Sequence, residues 1–108
     1  MTAEVVSEQA VSTTEQVSTV GVIGGGIMGT GIAEVSARAG CDVVICEVNQ
    51  AYAESALGRV RKSLARAEKT GKLTTADREA AEGRVRAVTD IADLADRDLV
   101  VEAVIEDE

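Results

Sequence analysis

Three glycines and one acid hold most of the chemistry that can be read from this chain. Gly24, Gly26 and Gly29 stand in G-x-G-x-x-G spacing at the end of the apolar run Val20-Gly21-Val22-Ile23. Each has its own reason to lack a side chain. Gly24 can take the positive φ of an abrupt strand-to-helix turn, which strains most other residues. Gly26 leaves the backbone bare, so that a pyrophosphate comes within hydrogen-bonding distance of the amides that follow, those of Ile27 and Met28. Gly29 lets the first helical turn lie close against the strand. Unpaired amides at a helix start, with the positive end of its dipole, form a site for a diphosphate.

The acid is Glu47, 18 residues beyond Gly29 and 23 beyond Gly24, at the end of the β-rich run Cys41-Asp42-Val43-Val44-Ile45-Cys46-Glu47. A dinucleotide fold places there the carboxylate that accepts hydrogen bonds from the adenosine ribose. A carboxylate also repels a ribose 2′-phosphate. No Arg or Lys follows until Arg59, so no nearby cation compensates and NAD is favoured over NADP.

These residues need a frame to hold them. The pattern predicts a strand over 19–23 and a helix from about Met28 to Ala39. That helix has an apolar stripe of Met28, Ile32, Val35 and Ala39, closed by Gly40 at C′. A second strand runs from Asp42 to Glu47, followed by some twenty helical residues from Gln50. Ala53, Ala56, Leu57, Val60, Leu64 and Ala67 form the inner stripe of this long helix, while Arg59, Arg61, Lys62, Arg66, Lys69 and Lys72 make a basic outer side. Gly71 ends it. Thr74, with Asp77 three residues on, caps a further helix from Thr75 to about Glu82. Strands over 84–89 and 98–104, with a one-turn helix capped by Asp90 between them, complete the order. The expected fold is α/β: an open, Rossmann-like parallel sheet with right-handed crossovers, helices on both faces, and a helical pair inserted between strands 2 and 3. Residues 1–18, rich in Ser, Thr and Glu with only scattered Val, are expected to be a disordered tail. Residues 19–108 are expected to be the dinucleotide-binding domain.

Composition narrows the functions. A chain of 108 residues has room for one domain. With no Phe or Trp and Tyr52 as the one aromatic, its core must be aliphatic, which suits parallel strands covered by helices. A formal net charge of −8 argues against nucleic-acid partners, whose phosphates attract basic surfaces. No apolar run reaches the roughly 20 residues that cross a bilayer. The first basic residue is Arg38, so neither a secretory signal nor a mitochondrial presequence is read, and a cytoplasmic, bacterial protein is the expectation. Cys41 and Cys46 fall on opposite faces of one strand and cannot pair with each other. With no His and no further Cys, no metal site is expected.

The basic helix, six cations against Glu68, reads first as a solvated face. Its functional reading is a contact with a phosphate-rich second ligand, such as a coenzyme A ester. A doubly wound sheet usually has more strands beyond its switch point, so the chain is read as a fragment of a larger protein that leaves hydrophobic surface bare.

With these residues in place, the sequence resembles the N-terminal part of the 3-hydroxyacyl-CoA dehydrogenases, and among them the bacterial 3-hydroxybutyryl-CoA dehydrogenases. The likeness covers Thr19 to Glu108. It rests on Val20 to Gly29, on Glu47, on the basic helix with its Thr74-capped successor, and on Asp98-Leu99-Val100-Val101-Glu102-Ala103-Val104-Ile105-Glu106. The resemblance implies NAD on Gly24, Gly26, Ile27, Met28, Gly29 and Glu47, with Ala103 and Glu106 closing on the ribose and nicotinamide side. It implies an acyl-CoA substrate touched by the basic helix, with Ser63 and Lys69 the matching residues, and a homodimer for the full-length protein. In this family a His takes the proton of the 3-hydroxyl, and that residue belongs to a helical catalytic and dimerisation domain beyond Glu108. No catalytic residue is therefore expected in these 108 residues, which are expected to bind NAD without turnover. Two other functions fit the glycines and the acid: an FAD-binding domain, against which the inserted helical pair argues, and a free-standing NAD-sensing module.

Overall fold

The computed structural model describes residues 17–103. Its elements are β1 (Thr19–Ile23), α1 (Ile27–Arg38), β2 (Asp42–Cys46), α2 (Gln50–Lys69), α3 (Thr75–Gly83), β3 (Val85–Val88), the 3₁₀ turn Ile91–Leu94, and β4 (Leu99–Glu102). The four strands form one parallel sheet in the order β3-β2-β1-β4. The chain thus steps outward from β1 through β2 to β3 and then returns to the other side of β1. This reversal opens a crevice at the carboxyl ends of β1 and β4, where open α/β sheets bind their ligands.

Strand alternation sorts the core into two layers. Val20, Val22, Val43, Ile45 and Val85 meet Ala33 and Ala37 of α1, Ala56, Val60 and Leu64 of α2, and Ala81 of α3 in one cluster. On the opposite side, Val44 and Cys46 pack with Leu94 of the 3₁₀ turn, beside half-buried Ile23 and Val88. The three α-helices therefore share one face, and the short 3₁₀ turn supplies the helical cover of the other. Cys41 packs against the first cluster and Cys46 lies in the second, so the two thiols do occupy opposite faces.

Helix ends follow the predicted chemistry. Gly40, at φ 103°, and Gly71, at φ 84°, sit one residue past the C-caps of α1 and α2. The Cys41 and Gly40 amides donate to Ser36 O and Ala37 O, both at 3.0 Å, and the Lys72 and Gly71 amides to Ala67 O at 2.8 Å and Glu68 O at 3.0 Å, the paired bonds of a Schellman ending at each helix. Thr74 Oγ1 accepts from the Asp77 amide at 3.0 Å, and Asp90 Oδ1 from the Ala92 amide at 3.0 Å.

The stripe of α1 is a correction. Its buried residues are Gly29, Thr30, Ala33 and Ala37, whereas Met28 is 51% and Val35 67% exposed and Ala39 is also exposed. Only Ile32 of the expected stripe is partly covered. The helix starts so close to β1 that small side chains alone fit between them, and the larger apolar residues turn outward. The edge strand β4 likewise leaves Leu99 and Val100 exposed, at 47% and 44%. No helix among the described residues is long and apolar enough to cross a membrane.

Candidate functional site

The glycine corner is built as its spacing requires. Gly24 has φ 103° and donates its amide to Cys46 O at 3.0 Å, which ties the end of β1 to the end of β2. A Cβ on Gly29 would stand 1.8 Å from Gly24 O, so the first turn of α1 rests directly on the strand end. A Cβ on Gly26 would meet nothing within 4 Å. That bare approach is what a diphosphate needs.

α1 begins there with Gly26 as N-cap, no side-chain cap, and no acid in its first turn. The amide end of the helix therefore faces the crevice with no side-chain cap and no acid of its own first turn to offset its dipole. Ile27, 78% exposed, and Met28 contribute their backbone to this turn.

Gly25, between Gly24 and Gly26, has no room for a side chain. A Cβ on it would lie 2.5 Å from Ala56 Cβ of α2 and 2.9 Å from Glu47 Oε2. Glu47 reaches back across the strand ends, its Oε2 accepting a short hydrogen bond from the Gly25 amide and its Oε1 one from the Val48 amide at 3.1 Å. The acid thus also holds the loop in place. Only the distance in space, not the distance in sequence, shows this.

Together these groups border a cavity of about 650 Å³ lined by Ile23, Gly24, Gly25, Gly26, Cys46, Glu47, Val48, Thr89, Asp90, Ile91 and Ala103. β1 and β2 contribute their last residues, Ile23 and Cys46, while Thr89 and Ala103 directly follow β3 and β4, and the volume lies within the usual range of small-ligand sites. Thr89, Asp90 and Ile91 were not among the expected site residues. The strand order alone signals them, because β3 ends on the same side as β1. Cys46 forms part of the wall, and burial first, then the charges of Asp90, Glu47 and Asp93, push its thiol above the usual range and keep it neutral. Ala103 closes the side nearest β4, its amide donating to Ile23 O at 2.8 Å. Glu106 lies outside the described residues.

A second groove, of about 490 Å³, runs between α1 and α2 and is lined by Thr30, Glu34, Arg59, Lys62, Ser63 and Arg66 among others. Ser63 Oγ donates to Glu34 Oε1 at 2.6 Å, so this residue reaches the groove already engaged. Lys69 is exposed near the C-terminal end of α2 and does not line it. The cations that do are Arg59, Lys62 and Arg66.

Arg59 belongs to Glu47's surroundings without forming an ion pair with it. It lines a smaller groove of about 310 Å³ with Gly25, Gly26, Glu47, Val48, Tyr52 and Ser55. The helix brings this cation back to the acid that precedes it by twelve positions.

A parallel sheet whose first corner presents bare helix amides, with an acid at the next strand end, defines a dinucleotide-binding domain of the Rossmann type. Residues 19–108 match the family model of the 3-hydroxyacyl-CoA dehydrogenase NAD-binding domain, and the chain belongs to that family. It is 49% identical over 94 residues to a 3-hydroxybutyryl-CoA dehydrogenase of Mycobacterium tuberculosis, an alignment covering 87% of this chain and 33% of that protein. The crystal structure of M. tuberculosis FadB2 superposes with a TM-score of 0.81 at 49% identity, over 84% of this chain and 32% of the other. That of (S)-3-hydroxybutyryl-CoA dehydrogenase from Ralstonia eutropha gives 0.79 at 38% identity, over 85% and 32%. The chain spans about a third of the length of the relatives it matches. NAD is the cofactor of the family's domain, and the open corner at Gly26 with the uncapped start of α1 fits it.

Proposed function

We propose that this chain is the NAD-binding part of an oxidoreductase that interconverts 3-hydroxyacyl-CoA, in particular 3-hydroxybutyryl-CoA, and the 3-oxoacyl-CoA. The observation that supports this most is the unobstructed approach to Gly26 beside the uncapped amides of α1. Those amides, with the one at Gly29, bind the diphosphate, and Glu47 accepts hydrogen bonds from the adenosine ribose. Ala103 borders the nicotinamide side. Bound nicotinamide accepts a hydride from C3 of the substrate; the chain's own share is binding and orientation.

The groove between α1 and α2 takes the coenzyme A portion of the ester. Lys62 and Arg66 face its phosphates there beside Ser63, and Lys69, which the resemblance assigns to the same ligand, lies farther along α2. A base that removes the hydroxyl proton must titrate near neutrality, which is the work of an imidazole, and these 108 residues contain no His. The homodimer implied by the resemblance belongs to this same reading.

Calorimetric titration tests the cofactor part: NAD should bind saturably at one site, and absence of heat and of competition by ADP-ribose would end the proposal. For the reaction, the 108 residues fused to the C-terminal two thirds of the M. tuberculosis relative should form NADH from 3-hydroxybutyryl-CoA. The unfused chain should form none. A folded chimera that binds NAD yet leaves this ester untouched would refute the substrate assignment.

A further inference from the structure

Tyr52, Ser55 and Arg59 stand at i, i+3 and i+7 on α2 and so project from one side of it, into the small groove that also contains Gly25, Gly26 and Glu47. Among the residues lining this groove, Glu47 and Arg59 are the two charged side chains. Arg59 is exposed, and among the described residues it takes part in no ion pair. Glu47, by contrast, accepts one backbone bond at each oxygen, from the amides of Gly25 and Val48, and each oxygen keeps a further acceptor site. The two are therefore not neutralised by one another, and each is available to a ligand.

We propose that Arg59 is a latent determinant of cofactor choice: discrimination against a ribose 2′-phosphate depends on the Glu47 carboxylate alone, and without its charge Arg59 and the Ser55 hydroxyl become a binding site for that phosphate. The inference rests on the NAD site proposed above, which places the adenosine ribose at Glu47. A 2′-phosphate added to that ribose carries nearly two negative charges. It would meet one fixed negative charge at hydrogen-bonding range and one positive charge on a flexible arm along the same groove. The nearer, pre-held carboxylate dominates, and NAD is selected. Once position 47 is neutral, Arg59 is the only charge left in the lining, and a planar guanidinium forms paired hydrogen bonds with phosphate oxygens. Ser55, one turn nearer the start of the helix, adds a donor with no change of backbone.

The test is a cycle of four chains: wild type, Glu47→Gln, Arg59→Ala and the double variant, each titrated with NAD and with NADP. Gln keeps an oxygen for the Gly25 amide, so the loop retains its anchor. Glu47→Gln should raise the NADP-to-NAD affinity ratio by roughly ten- to hundredfold, the worth of a charge-assisted hydrogen bond. Adding Arg59→Ala should cancel most of that gain. A ratio that stays put in Glu47→Gln, or a gain that survives loss of Arg59, overturns the proposal. Should Glu47→Gln lose its helical circular dichroism, Glu47→Ala with and without Arg59→Ala decides by the same ratio, and a gain that survives loss of Arg59 refutes the role. If wild type binds no NAD, the site itself is misplaced; if it binds NAD and the ratio does not respond, only the role of Arg59 falls.

Discussion

The carbonyl oxygen of Gly24 occupies the place a side chain on Gly29 would need, 1.8 Å from where its Cβ would sit. The strand end and the helix start are thus in direct backbone contact, and this contact aims the α1 amides at the crevice. Gly29→Ala cannot be absorbed by a side-chain rotation. It should displace the corner, cost 1–3 kcal/mol or more in urea unfolding, and weaken NAD in the same protein. Gly26→Val is the complementary case. Nothing lies within 4 Å of its Cβ, so stability should stay within about 1 kcal/mol of wild type while the diphosphate is shut out. A Gly26→Val protein with unaltered NAD affinity would place the cofactor elsewhere.

Glu47→Ala removes the proposed ribose acceptor and also the anchor of Gly25. NAD affinity should fall by about 1–3 kcal/mol, measured by calorimetry, from the lost charge-assisted bonds. Loss of the loop anchor should appear separately, as faster amide hydrogen exchange at Gly25 in the ligand-free protein. Full affinity in this variant would remove Glu47 from the site.

The face that α1 buries can be checked by two substitutions of opposite kind. Val35→Ala, at a position 67% exposed, should change stability by no more than about 0.5 kcal/mol. Ala33→Leu, at a position 0% exposed and pressed against the sheet, should cost at least about 1–3 kcal/mol. The reverse ranking would restore the stripe that includes Val35.

The acid side of the stability profile should carry the mark of Asp98. Its Oδ2 accepts from the Ser18 amide at 2.9 Å and the Thr19 amide at 3.1 Å, and these bonds hold its carboxyl below the ordinary value of 3.8. The charged form is the one the fold favours. Its stabilisation is therefore complete above the unfolded value and is lost as pH falls through the lower, folded one. Asp98→Asn should lower the urea midpoint at neutral pH, and the gap to wild type should narrow on acidification. A gap independent of pH would show that packing of the side chain matters, not its ionisation.

Much of this molecule is legible in its residues because the signals are local. The glycine at a positive φ, the Thr74 and Asp90 caps, the C′ glycines and the inner stripe of α2 depend on neighbours a few positions away, and each lies where the spacing puts it. The place of Glu47 at a strand end is similarly legible, since parallel crossovers of this kind have a narrow range of lengths. For α1 hydrophobicity misled, because the closest packing selects small residues over apolar ones. The sequence by itself determined the order of the elements, the open corner at Gly26 and the aliphatic character of the core. Only the tertiary structure decided that Glu47 holds Gly25, that Thr89 and Asp90 join the crevice, and that Arg59 shares a groove with the acid twelve positions before it. Those relations depend on how a parallel sheet brings distant strand ends to one edge and how a helix turns its side chains back toward them, and no local spacing records either.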